Sequence, residues 1–509
     1  MKKKTIYLVA LIFISWTYPA CNKKDLDLPP LADTELEYFT EELHFEKAII
    51  GVYAKLNDVY WFNGNFPIHG VWLLPGDDVT TKQNNVPHEV FVGLNSSNGD
   101  LSKFYTALYQ MINRANTFLE KNEAENGVYV TANLKSYHRG EALFLRGYAN
   151  FMLWNFFGTS PVITKRISSQ AEITPPSSTG NQLLDQAISD FDAAASLLPL
   201  SWTDINKGRV TKSSANGFLG KALVFRGTVT KSKSDYSNAL LAFNKVTDKA
   251  LMPNFKENFN ADKENNAESL FEHQANQNAG FDNVWLSDDF NNSEGSISAY
   301  WGFFNDGPGW FGKPIYSATS KLYNAFDPTD PRRDLTVKAN LGDSDPANDY
   351  QIQKYVTQNK FGNSGTGSLN NPRILRYADV LLLQAEATLQ SDGSKAAAIG
   401  FINQVRARAR TSAPGATGPA DRPTTETNTT TIMDWIRNER FIELAGEEGH
   451  RWMDLRRWHL GEQINLATWD FSSSQPAGQL VFVAPRNLNM PIPNSEIDRN
   501  PNVKQNTGY

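Results

Sequence analysis

Paired amphipathic stretches recur along the chain, and they constrain its fold more than any other feature. Ala215–Thr228 (ANGFLGKALVFRGT) and Tyr236–Val246 (YSNALLAFNKV) repeat apolar residues at helical spacing, with the polar turn KSKSD between them. Ala215, Gly217, Gly220 and Ala222 are small enough to let two helices approach closely. The same arrangement joins Arg376–Leu389 (RYADVLLLQAEATL) to Lys395–Ala409 (KAAAIGFINQVRARA) through QSDGS. A third pair runs from Tyr137–Gly158 (YHRGEALFLRGYANFMLWNFFG) to Leu183–Leu198 (LLDQAISDFDAAASLL), across a loop containing PPSSTG. A single amphipathic helix cannot bury its own apolar face, so these pairs predict an all-α dominated array that stacks unit on unit. Strand-like alternation is sparse, and QLVFVA at 479–484 is the clearest candidate.

Two segments break the helical pattern. The stretch 252–372 is rich in Asn, Gly, Asp and Ser, and it carries FDNVWLSDDF, AYWGFFNDGPGWFG and FDPTDPRRD. The other is VYWFNGNFPIHGVWLLPGDD (Val59–Asp78). Long irregular segments in compact proteins are usually functional or disordered, and disorder needs few aromatics. Both segments are aromatic-rich, so they read as an ordered surface. Thr411–Thr431 (TSAPGATGPADRPTTETNTTT) has no aromatics and reads as a mobile loop.

The N-terminus adds a location. Lys2, Lys3 and Lys4 precede the apolar run TIYLVALIFISW and then YPAC, the pattern of an export signal over 1–20. The run is shorter than the roughly 20 residues a spanning helix needs. Cys21 is the sole cysteine, so it has no disulfide partner within the chain. Its place after Ala20 predicts a lipidated sulfur, and several acyl chains together anchor a protein stably. With 49 Lys and Arg against 55 Asp and Glu, and no later basic run, a nucleic-acid footprint is not expected.

Catalytic and cofactor motifs are absent in usable form. GPGWFG (Gly307–Gly312) has the glycine spacing of a dinucleotide loop but no strand before it or helix after it. The seven histidines are scattered, with none at i, i+4 spacing, so neither a metal nor another cofactor is expected. The adjacent acids Asp77/Asp78 and Asp288/Asp289 do not give the separation across a sugar that glycoside hydrolysis requires. The densest charge cluster is ELAGEEGHRWMDLRRW (Glu443–Trp458). On a helix from about Glu447, Asp454 has His450 at i−4, Arg451 at i−3 and Arg457 at i+3. Arginines favour the ionised form of a carboxyl, which suits a structural counter-ion better than a general acid.

Several of these stretches together carry a resemblance. ERFIELAGEEGHRWMDLRRW, the closing MPIPNSEIDRNPNVKQNTGY, YHRGEALFLRGYANFMLWNFFGTSPVI, RYADVLLLQAEA, INQVRARA, CNKKDLDLPP and AIIGVY resemble, in order, motifs of the SusD/RagB family of outer-membrane nutrient-binding lipoproteins. The helical pairs also resemble tetratricopeptide repeats. The resemblance implies a tetratricopeptide-like superhelix with an irregular, loop-rich ligand face. It divides the chain after the signal into an N-terminal region, 21–230, and a C-terminal region, 231–509. It further implies a lipid anchor on Cys21 at the cell surface, a SusC-like TonB-dependent transporter as partner, and a non-enzymatic role in binding oligosaccharide or polysaccharide. A peptide-uptake lipoprotein and a helical glycoside hydrolase are the alternatives.

Ligand contacts in such a family come from variable loops, so the candidates here rest on chemistry. A sugar presents a flat C–H face that an indole can cover; burying roughly 50–100 Å² contributes about 1–2.5 kcal/mol per ring. Trp61, Trp72, Trp285, Tyr300, Trp301 and Trp310 are the candidate platforms. Asp77, Asp78, Asn283, Asp288 and Asn305 are the candidate hydroxyl partners.

Overall fold

The helical pairs form where the apolar spacing places them. A computed structural model describes residues 38–60, 62–63, 66–67, 69–81, 86–169, 172–274, 303–304, 307–308, 316–339, 350–356, 370–473, 475 and 478–509. Its long helices are α1 (Glu42–Tyr53), α2 (Gly99–Ala124), α3 (Leu134–Phe156), α4 (Gln182–Leu197), α5 (Lys212–Thr230), α6 (Lys233–Phe243), α7 (Tyr377–Gln390), α8 (Lys395–Thr411), α9 (Thr429–Glu443) and α10 (His450–Leu460). Helix α1 lies on α2 and α3, α3 on α4, α5 on α6, and α7 on α8 and α9. This is the stacked, tetratricopeptide-like arrangement of helix pairs.

Local chemistry explains the starts and the close approaches. The Ser232, Ser394 and Asn428 side chains each accept the backbone N–H three residues on, which begins α6, α8 and α9. Thr211 and Ser214 form a reciprocal capping box at the start of α5. A Cβ on Gly217 would lie 2.6 Å from Leu270 Cδ2, and one on Gly220 would overlap the Phe243 ring. Those two positions let α5 touch its neighbours.

Short antiparallel ladders pin the irregular segments. β1 (Val79–Thr81) pairs with β3 (Tyr316–Ala318), β4 (Val337–Ala339) with β5 (Tyr350–Ile352), and β2 (Ser269–Glu272) with β6 (Arg373–Arg376). The β2–β6 ladder staples the two ends of the 252–372 stretch together.

Two expectations are corrected. Residues 479–484 form no strand; their one backbone bond to a neighbouring segment is Val481 N–H to Val90 O, and Val481 and Val483 stay exposed. The tract expected to be a mobile loop is tied down instead. Arg406 Nε donates to Ala420 O, Arg410 Nη1 to Pro419 O, and Asn403 exchanges two bonds with Arg422. The donors belong to α8, outside the polar tract, so composition could not reveal them.

Buried ion pairs join the layers. Glu443 is fully buried and accepts from Arg332 Nη1 (2.7 Å), Arg376 Nη1 (2.6 Å) and Arg408. Glu447 takes Arg376 Nε (2.8 Å) and Lys354 Nζ (2.6 Å), while Glu268 takes Arg376 and Arg408, each at 2.7 Å. Burial alone would raise the Glu443 carboxyl, but the three guanidinium groups hold it far below the usual carboxylate range. Glu443→Gln should lower stability by about 3–5 kcal/mol, because it removes the counter-charge from buried arginines. Urea unfolding should show a lower midpoint at an unchanged slope.

Candidate functional site

The aromatic segments leave the fold beside one another. Tyr60 precedes residues 61–68 and His69 follows them, while His273 stands just before 275–302. The Tyr60 ring stacks on His273 at 4.9 Å and 15°, and it meets His69 edge-on at 5.7 Å. His273 Nε2 lies 2.8 Å from Asn57 Oδ1. The β1–β3 ladder joins the chain on either side of the same irregular regions, with Thr81 opposite Tyr316. Thus two segments more than 200 residues apart in sequence have a common root.

The turn between α9 and α10 forms the underside of that root. Gly446 and Gly449 have φ of 67° and 68°, and Glu448 between them has φ of 38°. The positive φ values at the glycines are unstrained. A Cβ on Gly449 would come within 2.9 Å of Trp72 Cβ, so the turn packs directly against the Val71–Asp78 segment. Gly446 N–H donates to Asp78 Oδ2 at 2.8 Å.

Three candidate glycan contacts are corrected by burial. Trp72 is 1% exposed and packs against Tyr60, His69 and Phe104, which leaves no face for a sugar. Asp77 is fully buried and accepts from Arg451, Lys321 Nζ (2.7 Å) and Trp469 Nε1 (3.0 Å). Burial would raise its carboxyl, but the Arg451 and Lys321 cations hold it below the ordinary value. Asp78 has only the Gly446 N–H to offset burial, which pushes it up to about 6. These adjacent acids carry tertiary contacts, and neither faces solvent. Cys21, Trp61, Asn283, Trp285, Asp288, Tyr300, Trp301, Asn305 and Trp310 lie outside the described residues.

The charged residues of the α10 motif separate by partner. Asp454 accepts from Arg457 Nε (2.9 Å) and from Arg440 Nε on α9 (2.6 Å). Arg457 also forks onto Glu386 of α7 at 2.6 and 2.7 Å. Arg451 turns away from Asp454 toward Asp77. His450 Nδ1 sits 2.9 Å from Lys221 Nζ, and burial followed by the Lys221 charge holds the imidazole neutral. Sequence reasoning missed Tyr60, His69, His273 and Glu448, which come from three distant segments and share no spacing that could announce them. Among the described residues, no group of three His, Cys, Asp or Glu side chains could hold a metal ion.

Comparison with known proteins places this architecture. Residues 248–509, more than half of the chain, match the SusD family. The chain belongs to the SusD family. Residues 74–223 also match a family described as starch-binding and associating with the outer membrane. SusD-like protein P2 of Formosa agariphila is 26% identical over 552 aligned positions that cover 100% of both chains. A SusD homolog from Bacteroides thetaiotaomicron shares the fold with a TM-score of 0.77 at 23% identity, over 94% of this chain and 99% of that one. Surface glycan-binding protein A from Bacteroides thetaiotaomicron, solved in complex with laminarihexaose, gives a TM-score of 0.72 at 20% identity, over 92% of this chain and 100% of that one.

The buried position of Trp72 generates a test that separates support from ligand contact. Trp72→Ala should cost about 3–5 kcal/mol of stability, as expected for emptying a packed indole site. Chemical denaturation measures it; an unchanged midpoint would contradict the packing described.

Proposed function

We propose that this SusD-family chain binds an oligosaccharide or polysaccharide at the face where its aromatic segments leave the fold. It then delivers the glycan, uncleaved, to a SusC-like TonB-dependent outer-membrane transporter. The observation that carries this reading is membership of the SusD family over residues 248–509, in a chain whose two aromatic segments root together at Tyr60 and His273. The structural neighbour bound to laminarihexaose supports glycan as the ligand class. The match of residues 74–223 to an outer-membrane-associated family supports the location, with Cys21 as the lipid-bearing anchor.

The chemistry of contact is the stacking of sugar C–H faces on exposed rings, with side-chain amides and carboxylates taking the hydroxyls. Trp61, Trp285, Tyr300, Trp301 and Trp310 are the proposed platforms, and Asn283, Asp288 and Asn305 the proposed polar partners. Trp72, Asp77 and Asp78 support the face from beneath. Two or three rings with a few hydrogen bonds amount to about −8 kcal/mol, a micromolar affinity.

Affinity electrophoresis against a polysaccharide panel tests the ligand class, with free reducing ends assayed in parallel. Retardation by at least one polysaccharide and no new reducing ends is the expected result. Trp285→Ala, Trp301→Ala and Trp310→Ala should each weaken binding by about 5- to 70-fold where the ring is a platform. Release of reducing ends would instead favour a hydrolase. Cys21→Ala should leave the outer-membrane fraction in detergent-free lysates; continued co-fractionation would contradict the anchor.

A further inference from the structure

The turn joining α9 to α10 holds one buried carboxyl that neither ion-pair network uses. Glu448 is 6% exposed, adopts φ of 38°, and has no hydrogen-bond partner at Oε2. A left-handed conformation is strained for a residue with a side chain, so the surrounding packing must enforce it. The other carboxyl contact is a hydrogen bond with the Tyr60 hydroxyl, which itself lies 3.4 Å from the Tyr148 hydroxyl. The groups facing Glu448 are Tyr60 and Tyr148, Tyr355 from the stretch after β5, Glu447 on its own turn, and Arg373 on β6. Arg373 is already engaged: its Nε lies 3.3 Å from Glu272, and it donates to the carbonyls of Asn258 and Asn371. Among the described residues Glu448 forms no ion pair.

Its surroundings are uncharged as well. Burial keeps the His273 imidazole neutral, down at about 4, and holds His69 neutral too. For Glu448, burial first and the Glu447 charge in addition push the carboxyl up to about 8, against the Tyr60 bond and Arg373. The acid therefore sits protonated at neutral pH under the ring pair that roots both aromatic segments. A negative charge introduced there would have no counter-ion and little water.

We propose that Glu448 is a positioning residue for the ligand face: its neutral carboxyl, bonded to Tyr60, holds the 57–60 and 270–274 segments together, and loss of its proton loosens that contact and weakens ligand binding. The ligand half of this proposal rests on the glycan-binding reading; the contact half does not. The sign follows from linkage. The folded state keeps the proton where the unfolded carboxyl, at its ordinary 4.5, has lost it, so folding takes up a proton. Stability from this group falls as pH rises from about 4.5 to about 8 and is level beyond.

Glu448→Gln keeps the size and the hydrogen bonding and cannot ionise. The full chain and this variant would be compared from pH 5 to pH 9 by thermal unfolding, by hydrogen exchange of peptides covering 57–60 and 270–274 (corrected for the intrinsic rate), and by titration with a polysaccharide that the parent binds. The parent should lose melting temperature relative to the variant as pH rises, with the two converging near pH 5. Its two peptides should lose protection above pH 8 while those of the variant do not. Its affinity should fall about tenfold between pH 6 and pH 9, a difference of about 1.4 kcal/mol, and that of the variant much less. Parallel melting and exchange profiles would overturn the proposal. A diverging stability profile with parallel affinities would overturn the positioning role. If no polysaccharide binds either protein, the glycan reading fails together with the ligand half, and the exchange data still decide the contact.

Discussion

Everything about this fold turns on Glu443. Its carboxylate meets three guanidinium groups that reach it from Arg332, Arg376 and Arg408, more than 100 residues apart at the extremes counted to Arg332. Each of those arginines is buried and would be intolerable alone, so the segments that carry them are obliged to meet. Glu268 and Glu447 extend the set, and Asp379, Asp454 and Glu386 repeat the logic one layer away with Lys221, Arg440 and Arg457. Replacing such a network by apolar groups could be as stable. What the charges add is intolerance of any other register, since a shifted helix would leave several ions unpaired.

That rigidity has a use at the next turn of chain. Residues 444–449 are clamped at both ends by the ion pairs, and the left-handed turn they form is pressed against Trp72 and bonded to Asp78. The root of the two aromatic segments is thus built on the stiffest part of the molecule. A ligand face made of long irregular chain needs such a floor, because its own backbone carries few regular hydrogen bonds. The motif that names the family is therefore a foundation, and the variable residues above it are free to change with the ligand.

Helical pairs were legible because apolar spacing and small residues encode them locally. Lys395 begins α8, and α7 spans Tyr377–Gln390, within a residue or two of the ends that the pattern gives. Trp72 misled because an indole in an irregular segment carries no mark of which way it faces. Asp77 and Asp78 misled similarly: their partners, Arg451 and the Gly446 N–H, lie more than 350 residues away. The ordered tract after α8 and the role of Glu448 were hidden for the same reason. Composition describes a segment, and these features belong to contacts between segments.

The most direct test of the account is hydrogen exchange with and without a polysaccharide that the protein binds. Protection should concentrate in peptides covering Tyr60–Asp78, Leu270–Gln274 and Ala445–Gly449, with α2, α4 and α6 unchanged. Protection confined to those helices, with none at the root of the aromatic segments, would contradict it.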